Sequence, residues 1–367
     1  MLTELLTGGS SEAAVLRSAD FSISRDGASG GMGGLAGAVA SLAGCAERDP
    51  WKQSVWSIRT ESGLAPFADR AEIDLGPGPD MPDAALEDRL RIELGYHDSG
   101  TSPVFTGSIF AVADLSSGRR RLSLTNASST LLQRRVNVTF QQKSYADAAK
   151  QMASDADVKT GNLGIDETRP AFTADDRLSV YRHIARMAGQ AGMIAWIDTD
   201  NKLQWGSPEP ASPAVQFVYG RDVISVEKAT GGTAIYRRWQ GEGAAGGNGN
   251  DAWCWLLKKA DSMAKGQEAS IALVAYLGTS RSRKSVESAA SGYTATHYCS
   301  QARFRIQVAG AADVTIGSTV SVTGTPEGKQ DCTGIVIHVR HQLTKTEGFI
   351  TRLEIVEGPA SSRGGLL

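Results

Sequence analysis

The sequence predicts a β-rich α+β protein in which two small β-barrel domains flank a compact α+β middle unit. Three observations predict this class. Short segments of alternating apolar and polar residues, bounded by turn residues, recur in the first and last thirds of the chain. Between them lie helix-capping residues and apolar residues at helical spacing. The chain has 367 residues, 41 of them glycine, which gives length for two or three domains and many turns.

The first β-rich block covers residues 1–135. In residues 88–97, Leu90, Ile92 and Leu94 fall on one face of a strand because alternate side chains point in opposite directions. The predicted strands are residues 18–27, 53–60, 71–75, 88–97, 104–114 and 120–126. Short strands bounded by turn residues are typical of a small barrel or sandwich. A glycine-rich segment, residues 27–50, reads as a loop insertion.

The middle unit, residues 136–212, carries the helical signals. The predicted elements are a helix over residues 144–157 capped by Ser144, a helix over 173–192 capped by Thr173 and ended by Gly189 or Gly192, and a hairpin over 193–206. Serine and threonine favour the N-cap because their hydroxyl accepts a free backbone N–H. A helix pair and a hairpin predict a compact α+β unit.

The second β-rich block covers residues 213–367, with a predicted insertion at 241–268. Its last strands form a predicted three-stranded meander over residues 317–324, 334–343 and 349–358. Residues 281–300 read as partly helical. The segment "ASIALVAYLG" (269–278) is the most continuously apolar strand, so we expect it in a core or across a subunit interface.

Charge and hydropathy favour neither nucleic acid nor membrane as a partner. Lysine plus arginine number 38 and aspartate plus glutamate 40. The basic runs at 119–121 and 131–135 lack the interleaved aromatic residues of single-strand binders. No run of about 20 apolar residues occurs. We therefore expect no specific nucleic-acid binding and no membrane insertion.

The cysteines indicate free thiols in a reducing compartment. Cys45, Cys254, Cys299 and Cys332 are scattered without CxxC spacing. The "LAGC" at 42–45 fits a lipoprotein cleavage pattern, but acidic residues precede it where a basic segment belongs. Lipidation is not favoured.

No catalytic, cofactor or metal site is predicted. The motifs GxSxG and HExxH are absent, and residues 324–334 lack the spacing of a phosphate-binding loop. His297 and Cys299 could supply two metal ligands, but the sequence pattern offers no two further ligands to complete a site. Asp175 and Asp176 are explained as the acidic opening of a helix, where they favour its dipole.

The two histidines of "GIVIHVRHQL" (334–343) are predicted to be ordinary strand residues. Ile335, Ile337, Val339, His341 and Leu343 share one parity, which predicts a core-facing row. His338 and His341 then lie on opposite faces, so they do not share a metal ion.

Residues 317–358 resemble the closing segment of the phage late control gene D proteins, the tail baseplate hub family. The matching residues are Gly317, Val320, Val322, Gly324, Gly334, Ile337, His341, Gly348, Phe349, Thr351, Leu353 and Ile355. Residues 144–161 and 178–206 are similar to Mu-type tail hubs and to the N-terminal half of the type VI secretion spike protein. The N-terminal block agrees more loosely, and residues 27–50 and 241–268 depart from the pattern as insertions.

The resemblance implies a homotrimer whose six barrel domains form a pseudo-sixfold ring. Such a ring would join a hexameric tail tube, or a tube-initiator protein, to a trimeric central spike, beside other baseplate proteins. Its mechanism would be geometric and need no enzyme or cofactor. The implied location is the tail baseplate of a virion assembled in the bacterial host cytoplasm. No glycine- and valine-rich β-helix follows residue 358, so the needle would be a separate chain.

Two alternatives stay open at this point. The first is the equivalent hub of a phage-tail-like bacterial injection system, either type VI or extracellular contractile. The second, of a different class, is a tail-associated cell-wall hydrolase, although no acid and base constellation is visible.

Overall fold

The computed structural model describes residues 17–25, 49–78, 81–164, 166–212, 214–230 and 302–357, together with the backbone of three short strands at 237–244, 257–262 and 273–277. Most of the predicted insertions at 27–50 and 241–268, and all of the predicted helical stretch at 281–300, lie outside the described residues.

The described chain is dominated by strands. In chain order they are β1 (Ala19–Arg25), β2 (Val55–Gly63), β3 (Arg70–Leu75), β4 (Arg89–Tyr96), β5 (Gly100–Asp114), β6 (Arg120–Thr125), β7 (Val138–Lys143), β8 (Arg169–Ala174), β9 (Ile194–Ile197), β10 (Leu203–Gly206), β11 (Val215–Val218), β12 (Val223–Thr230), β13 (Arg237–Ala244), β14 (Leu257–Ser262), β15 (Leu273–Leu277), β16 (Ala302–Ala309), β17 (Thr319–Thr323), β18 (Cys332–Thr344) and β19 (Gly348–Val356). The helices are α1 (Pro50–Ser54), α2 (Ala127–Gln133), α3 (Tyr145–Ser154) and α4 (Val180–Gln190). No described helix has the length and apolar character to cross a membrane.

Strands from both ends of the chain belong to one twelve-stranded sheet. Its main path runs β1-β4-β5-β6-β3-β2-β18-β19-β16-β12, and β17 adds to β18 and then pairs with β11. All of these pairings are antiparallel except that of β11 with β17. The predicted β-rich class is confirmed in this large antiparallel sheet with few helices. Closure of each half into a barrel stays a prediction.

The six strands predicted in the first block are all present as β1–β6. Their alternation places Leu90, Ile92 and Leu94 wholly inside, as predicted. The predicted final meander is also present, because β17 pairs with β18 and β18 with β19. Within the apolar segment 269–278, Leu273–Leu277 forms β15 and pairs in parallel with β13. Its role in a subunit interface stays a prediction.

Of the two N-cap residues predicted for the middle helices, one is confirmed and the other is wrong. The Ser144 hydroxyl accepts from the Asp147 N–H at 3.0 Å and begins α3. The predicted cap Thr173 is wrong, because Arg169–Ala174 forms β8, where Phe172 and Ala174 alternate inward and Thr173 pairs with Thr139 of β7.

The following helix, α4, begins later, with Ser179 as its cap. It ends before Gly192, whose φ of +79° suits glycine at the end of a helix. Asp175 and Asp176 therefore lie in the turn before α4 rather than at its opening. The Asp175 carboxylate instead accepts from Arg177, 2.6 Å away.

The described apolar side chains form three hydrophobic cores. The first packs β1–β6 and includes Phe105 and Ile58. The second packs α2, α3 and α4 with β7–β10, around Tyr181. The third packs β11, β12 and β16–β19, around Phe304. Each core draws mainly on one of the three predicted units, and the exact domain boundaries stay predictions.

We predict that position 334 of β18 requires glycine, because the backbone of β19 passes too close to it for a side chain. A Cβ at this position would lie 2.2 Å from the Val356 carbonyl oxygen, and backbone cannot yield as a flexible side chain would. Gly334→Ala should therefore lower the free energy of unfolding by about 1–3 kcal/mol. The matched control is Gly189→Ala in α4, where a Cβ meets open space and should raise stability by roughly 0.5–1 kcal/mol. Denaturant unfolding followed by tryptophan fluorescence measures both, and equal effects would contradict the close-approach argument.

The ion pair between Arg169 and Asp166 is predicted to be a strong determinant of the middle unit. Both side chains are at most 4% exposed, the Nη1 to Oδ2 distance is 2.7 Å, and the guanidinium stacks on Tyr145. Arg169→Ala leaves a buried carboxylate without its cation, so we expect a loss of roughly 3–5 kcal/mol in unfolding free energy. The control is Arg177→Ala, since Arg177 is 84% exposed in its pair with Asp175. It should leave the denaturation midpoint unchanged, and a comparable loss in both variants would contradict the prediction.

Candidate functional site

The junction between the two halves of the sheet is built on β18. One edge of this strand pairs with β19 from Ile335 to Thr344. The other edge has two partners in succession: Cys332 to Ile335 pair with β17, and His338 to Thr344 pair with β2. A single strand therefore belongs to both β-rich blocks, and backbone hydrogen bonds hold the blocks together.

A β-bulge marks the change of partner on β18. Val336 pairs with Ile355 and His338 with Glu354, so Ile337 is an extra residue. Its carbonyl accepts from the Leu64 N–H at 3.1 Å, just where β2 ends. The residues predicted to face inward, Ile335, Ile337, Val339, His341 and Leu343, are all buried. The bulge accounts for one departure from the predicted pattern. Val336, predicted on the polar side, is fully buried in the third core, because one extra residue reverses which side chains point inward.

His338 lies on the outer side of the junction in a charged cluster. Its Nε2 is 3.2 Å from Glu61 Oε1, and its ring meets Phe67 edge-on at 5.2 Å. Glu61 also accepts from Arg70 at 2.6 Å. Burial is the largest single influence on the pKa of Glu61 and would raise it, but the hydrogen bond from Arg70 and the charges of Arg70, His338 and Arg340 together lower it. Glu61 therefore stays charged and ties β2, β3 and β18 together.

His341 lies on the inner side, three residues further along. Its Nδ1 is 3.0 Å from Thr351 Oγ1 of β19, and the same oxygen accepts from the Ala311 N–H at 3.0 Å. Burial lowers the pKa of His341 to about 4, so the ring is neutral at pH 7. The two histidines contact different partners on opposite faces, as predicted. Beyond His341 the strand continues to Thr344.

A buried carboxylate, Asp69, joins the end of β2 to the start of helix α2, which packs in the second core. Its Oδ1 accepts from the Gly63 N–H at 3.1 Å and its Oδ2 from Asn126 Nδ2 at 3.0 Å. Its own N–H donates to Ser128 Oγ at 2.8 Å. Burial raises the pKa of Asp69 to about 7. The nearby Tyr181 hydroxyl of α4 has no hydrogen-bond partner among the described residues, and burial raises its pKa well above 10.

The turn of the β9–β10 hairpin docks onto the first block. Asp200 is 3.0 Å from Arg91 of β4, and Asn201 Oδ1 accepts from the Ala127 N–H at 2.7 Å. On the other side, the Trp196 ring packs against Gly317, and the Thr319 hydroxyl accepts from the Ala211 N–H. The hairpin of the middle unit therefore contacts both β-rich blocks.

A small cavity of about 20 Å³ lies where the three units meet. Its lining includes Phe105 from the first block, Trp196 and Ile197 from the hairpin, and Val339 and His341 from β18. A volume of this size holds about one water molecule.

The residues considered for chemistry in the sequence are not brought together. Cys45, Cys254, His297 and Cys299 lie outside the described residues. Cys332 is buried in β18, where burial raises the pKa of its thiol to about 12. No group of three or more metal-ligating side chains occurs among the described residues. Asp69 was not predicted, because a lone aspartate before a strand carries no periodic or motif signal.

The fold is similar to solved structures of tail proteins. A tail protein from Neisseria meningitidis MC58 aligns with a TM-score of 0.61 at 16% identity, over 82% of this chain and 92% of that one. The 43 kDa tail protein of prophage MuSo2 from Shewanella oneidensis aligns with a TM-score of 0.61 at 11% identity, over 83% and 94%. The chain has the fold of phage tail proteins.

A third similar structure comes from a secretion machine. The E. coli c3393 protein, a component of the type VI secretion system, aligns with a TM-score of 0.53 at 12% identity, over 85% of this chain and 75% of that one. The c3393 protein is itself structurally similar to the T4 bacteriophage tail proteins gp27 and gp5. No protein-family model and no curated protein matches the sequence.

The buried His341 is predicted to make the junction sensitive to acid. In the unfolded chain its pKa is 6.5, and in the folded chain about 4. Between these values the unfolded chain binds a proton that the folded chain does not, so stability falls as the pH falls. The difference corresponds to about 3 kcal/mol, fully present above pH 6.5 and lost towards pH 4.

The measurement compares denaturant unfolding of wild type and His341→Gln at pH 7.5 and pH 4.5. The wild type should lose more stability than the variant over this interval. Asp69 contributes in the opposite sense, because its raised pKa makes the folded state bind a proton between about 4 and 7. That contribution is common to both proteins and cancels in the comparison. Parallel losses in the two proteins would contradict the assignment to His341.

Proposed function

We propose that this chain is the structural baseplate hub of a phage tail. In this proposal it forms a homotrimer that joins a hexameric tail tube to a trimeric central spike. The observation that carries the proposal is the pair of β-rich blocks joined through one strand, β18. A fold shared with tail proteins over more than four-fifths of the chain supports the same role.

Joined blocks suit an adaptor between sixfold and threefold partners. We assign the blocks to residues 1–135 and 213–367, each forming a barrel domain, with residues 136–212 as the middle domain. Three copies then supply six similar blocks, which can contact six tube subunits, while the trimer itself matches a threefold spike. Backbone pairing across β2 and β18 fixes the spacing of the two blocks, which a sixfold contact requires.

The proposed role is mechanical rather than catalytic. The cavity at β18 that Trp196, Val339 and His341 help to line measures only about 20 Å³. We accordingly place the chain in the tail baseplate of a virion, assembled in the host cytoplasm. Its partners would be other copies of itself, a tube or tube-initiator protein, the spike and neighbouring baseplate proteins. It carries no cofactor in this proposal.

A second candidate is the equivalent hub of a phage-tail-like bacterial injection system. The observation that favours it is the similarity to the type VI component from E. coli. The adaptor geometry is the same in both candidates, so the neighbouring genes distinguish them: capsid and terminase genes accompany a phage.

The proposal predicts a stable three-copy assembly with six lobes. Native mass spectrometry should give three times the 38.7 kDa chain mass, and negative-stain images down the axis should show six similar densities. The purified trimer should also bind the tube and spike proteins encoded beside it. A monomer at all concentrations that binds neither protein would contradict the proposal, and clearing of peptidoglycan on a zymogram would favour the hydrolase instead.

A further inference from the structure

The two β-rich blocks share one strand arrangement. In the first block the order of neighbouring strands is β4-β5-β6-β3-β2, and in the second it is β17-β18-β19-β16-β12. Each order contains a long antiparallel hairpin, β5–β6 or β18–β19. The blocks therefore correspond strand for strand, with β5 equivalent to β18 and β2 equivalent to β12.

The correspondence extends to single residues, because the bulges recur at matching positions. The extra residue is Phe110 on β5 and Ile337 on β18. It is Trp56 on β2 and Ile224 on β12, in each case the second residue of the strand. Residues of β2 are therefore equivalent to residues of β12 that lie 168 positions later, since 224 − 56 = 168.

A close backbone approach recurs in the same way. A Cβ at Gly107 of β5 would lie 2.3 Å from the Thr125 carbonyl oxygen of β6. A Cβ at Gly334 of β18 would lie 2.2 Å from the Val356 carbonyl oxygen of β19. Both glycines stand three residues before the bulge, which supports the residue alignment independently of the strand order.

Only one of the two equivalent edges is covered within a chain. Beyond its bulge, β18 pairs with β2 of the first block. Beyond its own bulge, β5 continues over Ala111–Asp114, and this segment, here called the distal β5 edge, pairs with β6 but with no described strand on its other side. The strand β12 pairs with β16, and apart from one bridge between Tyr219 and Val223 no described strand lies on its other side.

Side chains at the distal β5 edge are exposed where their equivalents on β18 are covered. Ile337 is 7% exposed beside β2, whereas the equivalent Phe110 is 59% exposed. His341 is buried, whereas the equivalent Asp114 is exposed. An exposed aromatic side chain beside an unpaired strand edge is typical of a contact surface.

Backbone groups at this edge are directed outward. The Leu115 N–H donates to the Arg119 carbonyl, just before β6, at 2.8 Å. Successive residues of a strand direct their N–H and carbonyl groups to opposite edges, so those of Val112 and Asp114 point away from β6. The residues equivalent to these two on β18 pair with β2.

We propose that β12 of one copy of this chain pairs antiparallel with the distal β5 edge of the next copy. The inference rests on the proposed homotrimer and names the surfaces through which its copies meet. The second block of one copy then meets the first block of the next, so the contact between copies repeats the contact within each copy. First and second blocks alternate around the ring, and a contact between two different surfaces can close in this way around a threefold axis.

The contact within the chain fixes the register of the proposed one. On β18, Arg340 pairs with Glu61. The equivalent residues are Ala113 of β5 and Ala229 of β12, which therefore lie opposite each other. Ala113 directs its backbone groups to β6, so this is a non-hydrogen-bonded pair with its Cα atoms about 4.5 Å apart.

The same register brings opposite charges together. One residue further along β5, Asp114 lies opposite Lys228 of β12. Asp114 is exposed and accepts from Arg120 within its own chain at 2.7 Å. An opposite-charge pair directly across two strands stabilises their pairing.

Cysteine cross-linking tests the pairing and its register. The variant with Ala113→Cys and Ala229→Cys should form a covalent trimer on mild oxidation, because the Cα separation suits a disulfide. The control, Ala113→Cys with Ser225→Cys, carries its second thiol four residues away along β12, roughly 13 Å, and should form none. Both variants keep the native cysteines, so the comparison removes their contribution. A non-reducing gel measures the product, and circular dichroism confirms folding.

Residue-resolved hydrogen exchange of the wild-type trimer gives a second readout that needs no substitution. The amides of Val112 and Asp114 should exchange as slowly as that of Ala113, which bonds to β6 within the chain. Dilution to monomers should release the first two and leave Ala113 protected. Exchange of Val112 and Asp114 at least about tenfold faster than Ala113 in an intact trimer would overturn the pairing.

The remaining outcomes separate this inference from the proposed function. A wild-type trimer in which the matched cysteine pair gives no more covalent product than the control would overturn the pairing and leave the hub proposal standing. Equal cross-linking of both variants would overturn the register and the pairing with it. A wild-type chain that is monomeric at every concentration would overturn both proposals.

Discussion

The pairing of β18 with two successive partners at one edge is the constraint on which the rest of the structure depends. Each buried backbone N–H and carbonyl requires a partner, so the strand can change from β17 to β2 only where its hydrogen-bond pattern is interrupted. The bulge at Ile337 provides that interruption, and the Leu64 N–H takes up the carbonyl it leaves free. Once this crossing is fixed, the relative position of the two β-rich blocks is fixed by covalent geometry and backbone hydrogen bonds rather than by side-chain packing alone.

Polar groups rather than further apolar packing complete the junction. Glu61 and His338 lie on its outer side, His341 and Thr351 on its inner side, and Asp69 lies beside the start of helix α2. Buried polar groups cost free energy unless they are hydrogen-bonded, so they are satisfied in only one arrangement of the units. In the proposed adaptor role, a single arrangement of the units matters more than maximal stability. His341 and Asp69 respond to pH in opposite senses, which flattens the net dependence between about pH 4 and 7.

Local periodicity predicted most strands, and it failed where a residue acts through a distant partner. Residues 88–97 alternate cleanly, and β4 follows that pattern. Thr173 looked like a helix cap because helical spacing follows it, but pairing with Thr139 of β7 overrode that local preference. The inward turn of Val336 depends on where β2 ends, some 270 positions earlier in the chain. Asp69 carries no motif at all, and only its burial beside Asn126 distinguishes it.

Bulges shape both the internal junction and part of the described surface. Inside the junction, the extra residue Ile337 lets one strand serve two blocks. At the surface, the extra residues Trp56 and Phe110 project apolar side chains where alternation would not. The cause is the same in both places. One inserted residue reverses which side chains of the strand point inward, and the strand stays paired on either side of it. The paired backbone makes the sheet rigid, and the bulges decide which of its apolar side chains reach the surface, so one device sets both properties without loss of backbone pairing.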